Sequence, residues 1–356
     1  MAITMEELAN KARVSRSTVD RVLHGRGRVS KETEERILSL AKVYNYTPDM
    51  AGKTLAIRRK GYKVGIILNS PDANPYYADV RQGILQESKK LEAYNITVIL
   101  KACSSEVDPI IQADQIRLMV KEEVSVLIIT AINVPIVIQA LREAQQRGVK
   151  IIALSASITD IDYYAYIGCD HDQAGRIAAN LAYLMFPQNN IYGVVVIGSQ
   201  KMLGHISRYK AFSSRLQQYY PEKPQITLLE NNDDDFISYD RMKQLLVVHP
   251  ETNLVFFAAA GVNGGIRAIL DSERKDIKII AFDLTDQTEK YLEKNIIQAV
   301  IFQNPQHQGR QAVRIAMDWI IKNQSPQRKD LFVNLSILLQ NSLTPEIISS
   351  LKGDSV

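Results

Sequence analysis

Cysteine is scarce in this sequence: Cys103 and Cys169 are the only two among 356 residues. Their separation matches no metal-binding spacing, and two isolated cysteines give no reason to expect a disulfide framework. The sequence therefore predicts two buried thiols in a reducing cytoplasm. The triplet Asp170 to Asp172 has metal-ligand chemistry but is interpreted as a helix cap, and the run Asp233 to Asp235 is interpreted as a solvated loop and N-cap, so no metal site is expected.

Long apolar runs are also missing, since no stretch approaches the roughly 20 residues that a membrane-spanning helix needs. The N-terminus opens directly into a capped polar segment rather than the apolar core of a secretory signal. No Gly-x-Ser-x-Gly motif is present, and no Walker lysine follows the glycine-rich stretch 261–265. These absences predict a cytoplasmic protein with no membrane partner, no catalytic residues and no cofactor.

The positive charge is concentrated at the N-terminal end. Residues 1–63 contain 14 Lys and Arg against 7 Asp and Glu, whereas residues 64–356 contain 29 against 32. A basic segment attached to a faintly acidic body is typical of a nucleic-acid-binding module on a separate core. A membrane-surface module is the alternative, but no basic amphipathic helix with bulky aromatic residues is present.

Three short helices are predicted in this basic segment. Thr4 and Glu7 form a capping box, and Ser15 and Ser30 are candidate N-caps for the second and third helices. Apolar residues at helical spacing predict one buried stripe for each helix: Leu8, Ala9 and Ala12; Val19, Val22 and Leu23; and Ile37, Leu40, Ala41 and Tyr44.

The outward face of the second helix carries Arg16, Ser17 and Arg21. This arrangement is typical of a helix-turn-helix, whose second helix lies in the major groove, where arginine pairs bidentately with guanine. The alternative is a small helical cap whose arginine face is merely solvated.

Alternating strands and helices are predicted from residue 64 to the end of the chain. The strands are continuous apolar runs rich in β-branched residues, and amphipathic helices separate them. This pattern predicts parallel sheets covered on both faces, in two lobes, with a ligand bound where the strand C-termini face each other. The fold class is therefore α/β with a small all-α head. The predicted strands are residues 64–68, 96–100, 126–129, 151–154, 194–197, 226–229, 254–257, 277–282 and 299–302.

The N-terminal segment resembles the DNA-binding head and hinge of the LacI/GalR family of bacterial regulators. The matching features are Ala9, Val14-Ser15, Thr18-Val19, Arg21-Val22-Leu23, Val29-Ser30, the Tyr46-x-Pro48 turn and the Ala51-x-x-x-Leu55 hinge. Asp20 departs from the family's small hydroxyl residue, and Gly52 weakens a hinge helix by about 1 kcal/mol. The resemblance implies a homodimer on a pseudo-palindromic operator, with Leu55 wedged into the minor groove. The implied DNA-binding residues are Ser15, Arg16, Ser17, Thr18, Arg21, Ser30 and Leu55.

The remainder resembles the periplasmic sugar-binding proteins whose fold the same regulators use for sensing. By this resemblance residues 1–47 form the head and 48–61 the hinge. Residues 62–164 with 299–326 are expected to form the first lobe, and residues 165–298 with 327–345 the second.

The same resemblance implies a cleft that binds a small effector. Aromatic faces stack on the apolar face of a sugar ring, and carboxylates or amides take its hydroxyls. The implied effector-binding residues are Asn74, Tyr76, Tyr77, Ser155, Arg208, Asn263, Asp283 and Gln303. A helix-start role for Asn74, a surface role for Arg208 and a helix-capping role for Asp283 are the alternatives.

Two positions depart from the sugar-binding pattern. Ser155-Ala156 stands where the family often has Asp-Arg, and Ala260-Gly261 stands where it has Asn-Asp, with Asn263 as a substitute amide. These departures weaken the case for a plain pentose or hexose and leave a modified sugar, a polyol or another hydroxylated metabolite as alternative effectors. The predicted function is a DNA-binding transcriptional regulator, a repressor, controlled by this effector. A non-regulatory sugar-binding protein and a Rossmann-like enzyme are the alternatives.

Overall fold

The computed structural model describes residues 3–23, 29–44, 46, 50–72, 74–103, 108–187, 190–220, 222–344, 347 and 351. The chain divides into two compact units. One comprises residues 1–62 with 317–325, and the other comprises residues 63–316 with 326–356. Each unit has its own hydrophobic core.

The first unit begins with three helices, α1 (Met5–Ala12), α2 (Arg16–Leu23) and α3 (Lys31–Val43). The predicted capping box is present: Glu7 N donates to Thr4 Oγ1 at 3.2 Å, and Thr4 N donates to Glu7 Oε2 at 2.8 Å. The apolar stripes meet in one small core, in which Leu8, Val19 and Ile37 are fully buried.

Tyr44 was predicted in the buried stripe of α3, and this is wrong. Its side chain is 39% exposed, and its ring lies 4.5 Å from the ammonium nitrogen of Lys11. Tyr44 follows the last residue of α3 as its C-cap, so it no longer keeps the helical spacing on which the prediction depended. The ring covers the lysine instead of filling the core.

The hinge segment forms a fourth helix, α4 (Met50–Lys60), which runs through Gly52. The predicted Tyr46-x-Pro48 turn lies outside the described residues, apart from Tyr46. A π-helical turn at Asp318–Lys322 belongs to the same unit, and Trp319 packs edge-on against Tyr62 with ring centroids 6.2 Å apart.

The second unit has alternating strands and helices, as predicted. Its strands are β1 (Lys63–Leu68), β2 (Thr97–Ala102), β3 (Val126–Ile129), β4 (Lys150–Leu154), β5 (Ala165–Gly168), β6 (Tyr192–Ile197), β7 (Gln225–Glu230), β8 (Leu254–Phe257), β9 (Lys278–Phe282), β10 (Ala299–Phe302), β11 (Asp330–Phe332) and β12 (Ser336–Leu338). Its helices are α5 (Tyr76–Glu92), α6 (Pro109–Lys121), α7 (Pro135–Gln146), α8 (His171–Met185), α9 (Leu203–Tyr219), α10 (Asp235–Val248), α11 (Val262–Asp271), α12 (Asp286–Glu293) and α13 (Pro305–Met317).

The strands form two six-stranded sheets. The first has the order β11-β5-β4-β3-β1-β2, and the second has the order β12-β10-β9-β8-β6-β7. All pairings are parallel except that of β12 with β10. The central strands are buried throughout because helices cover both faces, which explains their unbroken apolar runs. We call the two halves built on these sheets the first and second lobes.

The predicted lobe boundaries are wrong for three strands. β5 and β11 were expected in the second lobe but pair with β4 and with each other in the first sheet. β10 was expected in the first lobe but pairs with β9 in the second sheet. Apolar periodicity identifies a buried strand but does not indicate which of two similar sheets receives it, and each predicted boundary fell one strand too early.

Helix α13 returns the chain from β10 to the first lobe. A Cβ at Gly83 would lie 2.1 Å from the carbonyl oxygen of Gln306, and one at Gly309 would lie 2.2 Å from that of Val80. Only glycine permits α5 and α13 to approach this closely. The close contact fixes α13 on the first lobe directly after the end of β10, where polar residues face the cleft.

Both cysteines are buried free thiols, as predicted. Throughout the described part of the chain, each helix is too short or too polar to traverse a lipid bilayer.

Candidate functional site

A cavity of about 400 Å³ lies between the two lobes, at the C-terminal ends of the strands. It is lined from both lobes, as expected where two parallel sheets face each other. All of the predicted effector-binding residues line it: Asn74, Tyr76, Tyr77, Ser155, Arg208, Asn263, Asp283 and Gln303. Their contact with an effector stays a prediction.

The first lobe contributes a hydroxyl network to the cavity. The hydroxyl of Tyr76 donates to Gln308 Oε1 at 2.9 Å and lies 2.8 Å from Ser155 Oγ, which donates to the same amide oxygen at 3.0 Å. Burial raises the pKa of Tyr76 well above its usual value, so this hydroxyl keeps its proton. Ser155-Ala156 stands where the family often has Asp-Arg, and the Ser155 hydroxyl forms a neutral network there.

The aromatic pair next to this network has the expected position. The rings of Tyr76 and Tyr77 are perpendicular, with centroids 5.0 Å apart, and both side chains are buried. Asn74 lines the cavity, but its Oδ1 also accepts from the Tyr76 amide at 3.1 Å. Asn74 therefore lies just before α5, whose N-cap is Pro75, and still lines the cavity.

Arg208 is not a surface residue, because its side chain is only 5% exposed. It belongs to α9, and its guanidinium carbon lies 3.6 Å from the ring centroid of Phe282. Its Nη1 donates to the carbonyl oxygen of Ala258 at 2.6 Å, and its Nε has no partner among the described residues. The guanidinium is thus anchored within the second lobe, at the wall of the cavity.

Asp283 and Gln303 form a hydrogen-bonded pair at the ends of β9 and β10. Gln303 Nε2 donates to Asp283 Oδ2 at 3.0 Å, whereas the shielded Asp283 Oδ1 has no partner in the described chain. Burial raises the pKa of Asp283 to about 7, although Arg208 and Gln303 both act to lower it. The capping alternative fails, because Thr285 is the N-cap of α12 and accepts from Thr288 N at 3.3 Å.

Asn263 lines the cavity but has little freedom to replace the missing amide. Its Oδ1 accepts from the hydroxyl of Tyr291 at 2.8 Å, and its Nδ2 lies 3.4 Å from Asp235 Oδ2. Asp235 also accepts from Gly264 N at 2.9 Å, so both side chains hold the start of α11 in place.

The cavity residues that sequence analysis missed include Asp233, His205 and Phe236. The run of aspartates from Asp233 was interpreted as a solvated loop with a helix cap, and Asp234 is indeed the N-cap of α10. Asp233 differs, because its Oδ1 accepts from Ala260 N at 3.0 Å and its carboxylate faces the cavity. Its position directly after β7 was the available signal, since the other cavity residues also follow strand ends.

The triplet that begins at Asp170 caps a helix, as predicted. Asp170 Oδ1 accepts from Gln173 N at 2.9 Å, at the start of α8. His171 is buried between Tyr166 and Cys169, and desolvation lowers its pKa well below the usual value. Among the described residues, no three His, Cys, Asp or Glu side chains are close enough together to hold a metal ion.

The predicted DNA-binding residues fall into two groups. Arg16, Ser17 and Arg21 are exposed on α2, and Leu55 is 54% exposed on α4. Ser15 and Ser30 instead accept from the amides of Thr18 and Thr33, at 3.2 and 3.3 Å, and so begin α2 and α3. The outward face of α2 is therefore available to a partner, and its contact with DNA stays a prediction.

Residues 64–324 match the periplasmic binding protein domain family. The chain belongs to this family. Residues 4–49 match the bacterial regulatory proteins of the lacI family, so the chain combines a periplasmic binding protein core with a lacI-type head. This combination confirms the family resemblance and the fold class predicted from the sequence.

Both binding proteins and regulators are similar to this chain. The core is similar to the ribose import binding protein RbsB of Salmonella typhimurium, with 24% identity over 72% of this chain and 84% of that protein. A shorter segment is similar to the ribose operon repressor of Haemophilus influenzae, with 28% identity over 50% of this chain and 55% of the repressor. A solute-binding protein of Burkholderia graminis in complex with D-arabinose has the same fold, with a TM-score of 0.73 and 19% identity over 80% of this chain and 97% of that one.

Proposed function

We propose that this protein is a DNA-binding repressor whose operator affinity is controlled by a small hydroxylated effector bound between the two lobes. The observation that carries the proposal is the presence of a lacI-type head on a core whose cavity is lined by all of the predicted effector-binding residues. Sugars and polyols fit such a cavity because its walls combine aromatic faces with carboxylate, amide and hydroxyl groups.

The proposed control operates through the angle between the lobes. An effector that contacts Tyr76 on the first lobe and Asp283 on the second stabilises one closure angle over the others. In a symmetric dimer, this angle sets whether the two α4 helices can present Leu55 to the centre of the operator. Couplings of this kind are typically about 1–3 kcal/mol, which corresponds to a change of about 5–150-fold in operator affinity.

A non-regulatory sugar-binding protein is the main competing function, and an enzyme is the other. The exposed arginines on α2 favour the regulator, because a transport protein has no use for a basic helix-turn-helix. We further propose that the protein acts in the cytoplasm, where the operator is.

The test of this function begins with selection of random double-stranded DNA by the full chain. We expect a consensus with two inverted half-sites, because a two-fold dimer reads each half in the same way. Titration of this operator in the presence of pentoses, hexoses and polyols should then reveal a compound that shifts its affinity. Failure to enrich any sequence would contradict the DNA-binding function.

Operator affinity should fall steeply with salt. The head neutralises backbone phosphates, and each neutralised phosphate releases a bound counterion. For about six such contacts we expect a loss of roughly 1,000-fold between 50 and 200 mM monovalent salt, measured by fluorescence anisotropy. A flat dependence would mean that the basic head does not contact the DNA backbone.

Dimer formation is proposed to involve the outer face of α6. Ile110, Ile111 and Leu118 are exposed there and lie on the same side of the helix. We expect Ile111→Glu combined with Leu118→Glu to convert the dimer to a monomer and to weaken operator binding at least about tenfold, since half-sites then bind separately. Sedimentation velocity measures the assembly, and Leu184→Glu on the exposed face of α8 is the matched control. A variant that remains dimeric would place the interface elsewhere.

A further inference from the structure

The cavity between the lobes has a marked imbalance of charge. Its lining includes a single guanidinium, that of Arg208, and no lysine among the described residues. Carboxylates are five times as numerous, since Asp72, Asp233, Asp234, Asp235 and Asp283 all line it. A cleft lined by one sign of charge concentrates ligands of the opposite sign.

Three of the five carboxylates accept from backbone amides, and Asp233 does so through Oδ1, which binds Ala260 N. Asp234 and Asp235 accept from the backbone amides that begin α10 and α11. Asp233 and Asp283, which we call the inner carboxylates, both line the cavity and lie close enough to the buried hydroxyl of Tyr77 for their charges to raise its pKa. Asp283 has a shielded oxygen without a partner in the described chain. Asp233 and Asp283 are therefore the acceptors that a ligand would meet inside the cavity.

The guanidinium of Arg208, the positive group of the lining, is largely engaged by the protein itself. The Nη1 of Arg208 donates to the carbonyl oxygen of Ala258, Nη2 lies 3.7 Å from Cys169 Sγ, and the guanidinium faces the ring of Phe282. The two histidines of the lining do not replace it, because burial lowers the pKa of both His171 and His205. An anionic ligand would enter among several carboxylates and meet a single guanidinium, of which only Nε has no partner among the described residues.

The backbone supports a special role for the inner carboxylates. Asp233, Asp283 and Ser155 all have left-handed backbone conformations, with φ values of 60°, 66° and 61°. Residues other than glycine adopt this conformation at a cost, and such strain concentrates at ligand sites. Phe236, next to this group, is 83% exposed and lines the cavity mouth, where an aromatic face attracts a cation.

We infer that the effector is a polyhydroxylated amine, such as an amino sugar, whose ammonium group binds Asp233 while its hydroxyls bind Asp283 and the Tyr76–Ser155 network. This inference depends on the proposed function, because it specifies the ligand of the same cavity. The ammonium donates to the carboxylate of Asp233, a charge-assisted hydrogen bond that a neutral hydroxyl cannot match. Sugar acids and sugar phosphates are excluded by the same carboxylates.

Matched pairs of compounds test the inference directly. Isothermal titration calorimetry of the full chain at pH 7.0 would compare D-glucosamine, D-galactosamine and D-mannosamine with D-glucose, D-galactose and D-mannose. We expect at least one amine to bind 10-fold or more tightly than its hydroxyl parent. D-gluconate and D-glucose 6-phosphate should not bind.

The variant Asp233→Asn assigns the preference to one carboxylate. Asparagine tolerates the left-handed backbone and can still accept from Ala260 N, so the loop is preserved. In this variant the dissociation constant of the hydroxyl parent, divided by that of the amine, should fall from 10 or more to about one. Asp283→Asn should instead weaken the binding of the amine and of its parent alike. Asp240→Asn, an exposed residue of α10 outside the cavity, is the control and should change neither.

The outcomes separate this inference from the proposed function. Equal or tighter binding of the neutral parents overturns the amine inference and leaves a sugar-responsive regulator. Tight amine binding that survives Asp233→Asn also overturns it, because the preference then has another source. Binding of neither series overturns the inference together with the sugar-like effector class, whereas selection of an operator would still support the DNA-binding half.

Discussion

Loss of the two exposed arginines of α2 should abolish the discrimination between operator and random DNA. Arg16 and Arg21 lie on the outward face of the helix, which the buried Val19 and Val22 hold against the head core. A bidentate arginine–guanine pair contributes about 1–3 kcal/mol of discrimination. We therefore expect Arg16→Ala and Arg21→Ala each to weaken operator binding by about 5–150-fold, as measured by fluorescence anisotropy.

The same two variants should leave binding to a scrambled duplex nearly unchanged, since backbone contacts are shared by all sequences. Arg36→Ala is the matched control, because it removes one exposed positive charge from α3 of the same head. It should reduce the affinity for both duplexes by a similar, smaller factor. If Arg16→Ala and Arg21→Ala reduce the affinities for the operator and for the scrambled duplex equally, these arginines contact only phosphates. The helix that contacts the bases is then not α2.

Local features of this fold were predictable because the residues that determine them are close in sequence. The capping box of Thr4 and Glu7 needs two side chains three residues apart, and both hydrogen bonds are present. Ser155, Asp283 and Gln303 were predictable for a related reason: each directly follows the end of a parallel strand, and the family resemblance indicated which strand ends to examine. Asp283 and Gln303 follow β9 and β10, which are neighbours in the sheet, so their side chains meet.

Other features depend on contacts that the sequence pattern does not encode. The strand β10 has the same apolar character as β4, and nothing in either run specifies a different sheet. The three aspartates that begin at Asp233 look alike in sequence, yet two cap helices and one turns inward. Asp234 accepts from the nearby Ile237 N, whereas the other two accept from the amides of Ala260 and Gly264, which are distant in the chain.

The strained backbone of the cavity could not be predicted either. Ser155 and Asp283 end strands of different lobes, and both adopt left-handed conformations that their residue types seldom take. A strained backbone conformation persists only where the surrounding sheet holds the residue in place. The left-handed conformation directs these two hydrogen-bonding side chains toward the cavity, at a cost in fold stability. Function and stability are therefore expected to compete at these positions.

Asp283→Asn should show this competition as a stability gain that depends on pH. The pKa of Asp283 is about 7 in the folded chain, because its desolvation outweighs the favourable Arg208 and Gln303, and Asp79 also opposes ionisation. The unfolded pKa of an aspartate is about 3.9, so the folded state holds more protons between these values. Wild-type stability therefore decreases as the pH rises from about 4 to about 7, and the full penalty remains at higher pH.

The shift of about three pKa units corresponds to at most about 4 kcal/mol. Because the side chain is half-buried and faces a solvent-accessible cavity, we expect about 1–3 kcal/mol after screening. At pH 8, Asp283→Asn should raise the thermal midpoint by about 2–10 °C, and at pH 4 it should change little. Scanning calorimetry across this pH range measures the effect, with Asp240→Asn as an exposed control that should show none. A midpoint that falls at pH 8 would mean that the ionised carboxylate has a stabilising partner and that the cavity does not hold it at a cost.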